Sequence, residues 1–274
     1  MDGLDLSSLW NMSDPAASEQ RFVTLALEAT SQVARAQGLQ RHFDAAHATL
    51  DGLEPLVEGG RPRVRYLLER GRVFNSSKDK AAARPLFVSA MELAVELGED
   101  ALAVDAAHMI AIVESGDAAL EWNRKALAMA EASEAPAARK WLGSLYNNIG
   151  WTLHAADRFE EALDLFEKAL EFRRDAGSQN AIWIAQWSIA RCLRSLERFD
   201  EAVNLQHALR TERESAGAPG GYNYEELGEL SLRSGDRVEA ATWFALAHEL
   251  LSQDPWLVAN EAERLERLAT LARG

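Results

Sequence analysis

Tyr146-Asn147-Asn148-Ile149-Gly150-Trp151-Thr152-Leu153, followed after a short polar break by Arg158-Phe159-Glu160-Glu161-Ala162-Leu163-Asp164-Leu165-Phe166 and then Ala169, is the stretch that decides the fold. Apolar residues recur at helical spacing on both sides of the break, as two amphipathic helices require. Gly150 and Ala162, twelve residues apart, are small enough to let two antiparallel helices close against each other. The pair recurs along the chain as Ala34/Ala46, Gly71/Ala83, Ala107/Ala119, Ala190/Ala202 and Gly228/Ala240. About six helical hairpins are therefore expected. With neither β-branched alternation nor a hairpin dipeptide between strand-like runs, essentially no sheet is expected.

These residues resemble the tetratricopeptide repeat. The steps between the second alanines are 37, 36, 43, 40 and 38 residues, longer than the roughly 34 of the standard repeat. Such lengthened helices look like those of kinesin light chains and of bacterial regulatory members of the superfamily. Arg158-Phe159-Glu160-Glu161-Ala162 and its echo Arg198-Phe199-Asp200-Glu201-Ala202 are typical of them. The resemblance covers about residues 27–254. It implies an all-α, right-handed superhelical solenoid of about six hairpins with a C-terminal capping helix. Several copies depart from the pattern. Arg70 takes an apolar place beside Gly71, Asn123 and Gln206 stand where Phe166 and Phe244 stand elsewhere, and Ser231 replaces a large apolar residue. Pro85 is expected to be tolerated only in the first turn of a helix.

The reading divides the chain into an N-terminal tail over 1–14, a single solenoid over 15–254 and a capping helix over 255–274. Asp14-Pro15 and Asp254-Pro255 open helices, each with an aspartate cap and a proline in the first turn. Leu9, Trp10 and Met12 are candidates to fold back over the first hairpin. The breaks between helices are short, as at Asn75-Ser76-Ser77, Asp175-Ala176-Gly177-Ser178 and Ser234-Gly235-Asp236. Glu134-Ala135-Pro136 and Gly217-Ala218-Pro219-Gly220-Gly221 are the most flexible. In the last helix Leu257, Leu265, Leu268 and Ala272 are expected to face the preceding hairpin, and Glu263, Arg264, Glu266 and Arg267 to face water; a dimerising helix is the rival reading.

Of the 274 residues 47% are hydrophobic and 26% charged, ample for a core, and the formal net charge is −14. That charge opposes attachment to nucleic acid or an anionic membrane. The acidic start, Met1-Asp2-Gly3-Leu4-Asp5, lacks the basic region of a secretory signal, and no apolar run has the length of a membrane span. Cytoplasmic residence is the expectation. Cys192 is the single cysteine, so no intrachain disulfide is possible, and its apolar neighbours suggest a packing thiol.

By the resemblance, the first helix of each hairpin lines a concave face where ligands lie. In that register the inward residues are Glu28, Ser31 and Arg35; Arg65, Leu68, Arg72 and Asn75; Val104 and His108; Ser144, Asn147, Trp151 and His154; Ile184, Trp187, Arg191 and Arg194; and Tyr222, Glu225, Glu229 and Arg233. The candidate ligand-binding set is Arg35, Arg65, Arg72, Asn75, His108, Asn147, Trp151, His154, Trp187, Arg191 and Arg194. Arginine forks suit carboxylates, tryptophan supplies apolar area, and asparagine can bond a peptide backbone. The expected ligand is a peptide or protein segment, acidic or carboxylate-bearing. Against this, Arg191 and Arg194 have Glu225 and Glu229 as candidate internal partners on the neighbouring hairpin, while Arg35, Arg65 and Arg72 have fewer acids opposite them, although Glu28 is near. Trp151 and Trp187 also read as packing residues, and Trp122 and Trp243 as core. Glu160-Glu161 and Glu225-Glu226 read as solvated acids. His108 and His154 lack the convergent ligands of a metal site. No nucleophile elbow, phosphate loop or zinc-helix motif is present, so no cofactor and no enzymatic activity are expected. A ligand-responsive regulator acting through a partner chain is the alternative, and an enzyme built on the repeat scaffold ranks third.

Overall fold

The computed structural model describes residues 5–176 and 178–274. The Met1–Leu4 portion of the acidic start and Gly177 of one expected break lie outside the described residues. The helices are α1 (Pro15–Leu39), α2 (Phe43–Leu53), α3 (Gly60–Ser76), α4 (Lys80–Glu96), α5 (Asp100–Val113), α6 (Gly116–Ala132), α7 (Pro136–Arg139), α8 (Leu142–Ala155), α9 (Phe159–Ala176), α10 (Gln179–Ser195), α11 (Phe199–Ser215), α12 (Gly221–Ser234), α13 (Arg237–Leu251), α14 (Pro255–Asn260) and α15 (Ala262–Leu271). Among the described residues there is no strand, and the protein is all-α. The chain divides into two compact units, Met1–Leu145 and Tyr146–Gly274. In the first, α1/α2, α3/α4 and α5/α6 form successive hairpins; the second holds the α10/α11 and α12/α13 hairpins, α9 packed on α10, and α15 packed on α13.

The six small/alanine pairs mark the hairpin seams, and the residue sixteen positions after each first small residue completes them. A Cβ on Gly71 would lie 2.5 Å from the Phe87 ring, one on Gly150 2.6 Å from Phe166, and one on Gly228 2.8 Å from Phe244. Where alanine opens the seam, the matching residue is not Phe but Leu50, Asn123 or Gln206, all buried. Glycine is therefore the space a phenylalanine ring takes. The Asn123 and Gln206 departures are polar seams rather than defects: Asn123 meets the His108 ring at 3.3 Å, and Gln206 accepts from Asn223 at 2.5 Å through its side chain.

Aspartates open α1, α4, α13 and α14, each side chain accepting a backbone N–H of the first turn. Tight turns join the paired helices. Arg41, Lys78, Asp157 and Glu197 are left-handed there, with φ between 57° and 71°, and Gly235 has φ 88°. In each turn the next N–H returns to a carbonyl five residues back, such as Asp79 to Phe74 at 2.8 Å and Arg198 to Leu193 at 2.9 Å. Those bonds hold the strained residue in place.

Several expectations change. Pro85 lies beyond the first turn of α4, yet the helix runs through it; its ring is exposed, so the carbonyl it leaves free faces water. Arg70 is buried beside Gly71, but its charged end meets Asp51, His47 and the Tyr66 hydroxyl. Ser231 fills its place with a bond to Glu239 at 2.9 Å. The C-terminal segment is two helices, broken at Glu261. Leu257, Leu265 and Leu268 join the core of α12 and α13 as expected, but Arg264 and Arg267 reach back to Glu225 and Glu229 at 2.5 and 2.6 Å. At the other end, Leu6–Leu9 forms a 3-10 turn capped by Asp5, and Trp10 packs edge-on to Phe22 at 5.1 Å. Met12 remains 86% exposed and covers nothing.

Candidate functional site

In the first unit the arginines expected to await a ligand are already paired. Arg35 meets Glu69 at 3.2 Å, Arg65 lies 3.8 Å from Glu28, and Arg61 bridges Glu28 and Glu99 at 3.0 and 3.1 Å. Arg72 holds Glu69 at 2.7 Å and also pairs with Asp105. Burial works to lower the Arg72 pKa, but the carboxylates of Asp105 and Glu69 outweigh it and leave the guanidinium more basic than usual. Glu69 is only 1% exposed, so this cluster is a buried link between α1, α3 and α5. Glu28 is visible from the sequence, but Glu69 and Asp105 are less so, lying a repeat away from Arg35 and Arg72 respectively, although Glu69 also stands three residues before Arg72 on the same helix. Asn75 is half-buried at the end of α3. His108 faces Asn123 and lies 5.6 Å from the Trp141 ring; burial lowers its pKa.

In the second unit Arg191 and Arg194 both bind Glu226, at 3.1 and 2.7 Å, rather than Glu225 or Glu229. Glu225 and Glu226 are buried, not solvated, because Arg264 covers the first and these two arginines the second. Burial pushes the Glu226 carboxyl up despite its partners. His154 meets the Ser195 hydroxyl at 2.9 Å, and burial, with Arg191 and Arg194 nearby, lowers its pKa. Asn147 accepts from Ser188 at 3.5 Å.

The first helices of this unit bring together what the sequence spaced apart. Trp151 of α8 lies 5.5 Å from Trp187 of α10, and Trp187 lies 5.9 Å from Tyr222 of α12. The Trp187 indole donates to the Tyr222 carbonyl at 3.1 Å, and Arg264 covers the Tyr222 ring at 5.0 Å. Trp151 also packs on Phe166 at 4.9 Å, so it serves both seam and surface. The result is a three-rung aromatic ladder, partly exposed, rising one hairpin per rung. Trp243 instead lies in the core, stacked on Tyr224 at 5.9 Å.

Beside the ladder is a cleft of about 500 Å³, walled by Trp183, Trp187, Tyr222, Leu250, Leu251 and Leu257 and edged by Arg213, the Pro219–Gly221 turn and Asp254. Arg213 sits over the Trp183 ring at 4.7 Å. Register along the first helices could not find it, because Arg213 belongs to a second helix; the Gly217-Ala218-Pro219-Gly220-Gly221 turn beside it was the legible signal. Cys192 is buried, donates to the Phe159 carbonyl at 3.2 Å, and is pushed up to about 11 by burial.

Residues 107–175 match the family model described as tetratricopeptide repeat. No curated protein matches the sequence. Among solved structures, the chain is similar to a signal transduction ATPase with a tetratricopeptide repeat sensor from Pyrococcus horikoshii, 14% identical with a TM-score of 0.72 over 92% of this chain and 41% of that one. It is similar to RapI in its apo form, 14% identical with a TM-score of 0.68 over 91% of this chain and 69% of that one. PilF of Pseudomonas aeruginosa is 13% identical, with a TM-score of 0.62 over 88% and 99%. At these identities the likeness is one of fold. The match over residues 107–175 and the similar folds along most of the chain agree on a tetratricopeptide-repeat fold.

Proposed function

We propose that the chain is a non-catalytic scaffold that binds a peptide or protein segment along its first-helix faces, the concave groove expected from sequence, with the ladder of Trp151, Trp187 and Tyr222 as the anchor. The ladder carries this reading: aromatic rings fixed at one per hairpin offer apolar area at little entropic cost to a chain laid across them. Ligand carboxylates, also expected, would meet arginines that already hold a carboxylate, so they add a small, salt-screened term to an apolar anchor. The net charge of −14 opposes nucleic acid. Among the described residues no helix is long and apolar enough to cross a membrane.

The test is selection of binders from a random peptide library. Expected binders carry large apolar residues, and their affinity falls at least tenfold with Trp187→Ala, while Trp243→Ala, corrected for folded fraction, changes it little. Peptides that bind the Trp187 variant as tightly as the unaltered protein defeat the reading. A second reading, a ligand-responsive regulator acting through a partner chain, is favoured by one observation: Trp187 and Tyr222 belong to both ladder and cleft, so an occupant of the cleft touches the peptide surface.

A further inference from the structure

Arg213 differs from the arginines of the inner faces. It lies in the last turn of α11, half-buried, with its Nε out of contact with solvent and without a partner. No carboxylate pairs with it among the described residues; it lies over the Trp183 ring, with Tyr224 also near. Burial lowers its pKa, the mark of a cation whose hydration has been removed without replacement. Another residue lining the cleft, Trp183, is more than nine-tenths buried and its indole N–H has no acceptor.

The surroundings fix what could complete the set. The walls are aromatic and aliphatic, and a volume of about 500 Å³ is in the range of small-molecule sites, where a few polar groups orient an otherwise apolar ligand. Asp254 also lines the cleft, but its carboxylate is engaged as the cap of α14, accepting from the Trp256 N–H at 2.8 Å. The turn leaves no slack on the Arg213 side: a Cβ on Gly220 would stand 2.6 Å from Arg213 Nε. The guanidinium is thus held at the edge of an apolar cavity, with its charge uncompensated.

We propose that this cleft binds an amphipathic organic carboxylate, a small molecule whose carboxylate pairs with Arg213 and whose apolar body lies against Trp183, Trp187 and Leu257. A guanidinium fork matches a carboxylate in two parallel bonds. A neutral apolar molecule would leave the arginine unpaired. The proposal deepens the regulatory reading and rests on it for its biological sense, but the site is tested without any peptide.

The experiment titrates the full chain with decanoate, decanol and N-acetyl-trileucine, whose free C-terminal carboxylate mimics a peptide end, following tryptophan fluorescence and calorimetric stoichiometry. Decanoate is expected to saturate one site and to bind at least tenfold more tightly than decanol. Arg213→Gln is expected to remove that preference and leave decanol unchanged. Ile184→Glu, at an exposed position on the rim, is expected to weaken decanoate by charge repulsion without disturbing the core, so the test survives a poorly folded Arg213 variant. Equal binding of decanoate and decanol, or decanoate binding indifferent to both substitutions, overturns the proposal. Binding of N-acetyl-trileucine without decanoate overturns it in favour of a peptide terminus. Saturable, arginine-dependent decanoate binding supports the site whether or not it alters affinity for a selected peptide, which separates it from the regulatory reading.

Discussion

Each hairpin seam pairs a small residue with one sixteen positions later, and the two sizes are matched: glycine with phenylalanine, alanine with something smaller. Gly150→Ala gains helix propensity of about 1 kcal/mol but drives a methyl into the Phe166 ring, where overpacking costs roughly 1–3 kcal/mol. A net loss of stability is expected on chemical denaturation, and Phe166→Leu, which reproduces the Ala34/Leu50 combination of the first hairpin, should restore most of it in the double variant. A double variant no more stable than Gly150→Ala would show that the ring is not the obstacle. The small residues were legible in the sequence; the partner was not, because seeing it needs the helix crossing that only packing supplies. Arg72 shows the same limit. It read as a free donor, but its removal leaves Asp105 buried without a cation and Glu69 with Arg35 alone, so Arg72→Met is expected to cost about 3–5 kcal/mol. Arg35→Ala, at a side chain 40% exposed, is expected to cost no more than about 1 kcal/mol. Paired urea unfolding curves check both.

At the scale of the element, the turn inside a hairpin is set by one left-handed residue and the carbonyl that receives the following N–H. Of the five turns built this way only that at Gly235 uses a glycine; the others hold a Cβ in a region that costs about 1–2 kcal/mol for an L-residue. Lys78 is exposed and φ there is 71°. Lys78→Gly is therefore expected to stabilise the chain by about 0.5–1 kcal/mol after the added freedom of the unfolded glycine is set against the relieved strain. A lowered unfolding midpoint would contradict the strain. Ser234-Gly235-Asp236 was read as a break in place and Asn75-Ser76-Ser77 just ahead of Lys78, but the left-handed residues of the other turns did not follow, since lysine and glutamate carry no turn signal of their own. Pro85 and the break at Glu261 were opaque for the opposite reason. There tertiary packing decides against local preference, keeping α4 intact through a proline and interrupting a segment with good helix formers.

Across the whole molecule, the fold class was readable because the repeat states it six times, whereas the candidate site was readable only in part: the ladder residues lie on the expected helices, while the unpaired arginine does not. Charge adds a pH dependence. His47, His108 and His154 have their pKa values lowered by burial from 6.5, so the unfolded chain binds more protons and stability is lost as pH falls below about 6.5. Glu226, pushed up from 4.5, acts in the opposite sense, but it is one group against three and its effect begins from the acid side. The unfolding midpoint is expected to fall between pH 7 and pH 5.5, and His108→Gln to flatten that fall; a midpoint rising over the interval would place the histidines at fault. The seams carry one more consequence. Their closing residues run Leu50, Phe87, Asn123, Phe166, Gln206, Phe244, so every second hairpin is sealed by a ring and those between by a smaller or polar group. Local opening follows the weaker seams, and amide exchange with deuterium along the chain should therefore beat with a period of two hairpins, fast and slow in alternation, a rhythm twice as long as the repeat itself.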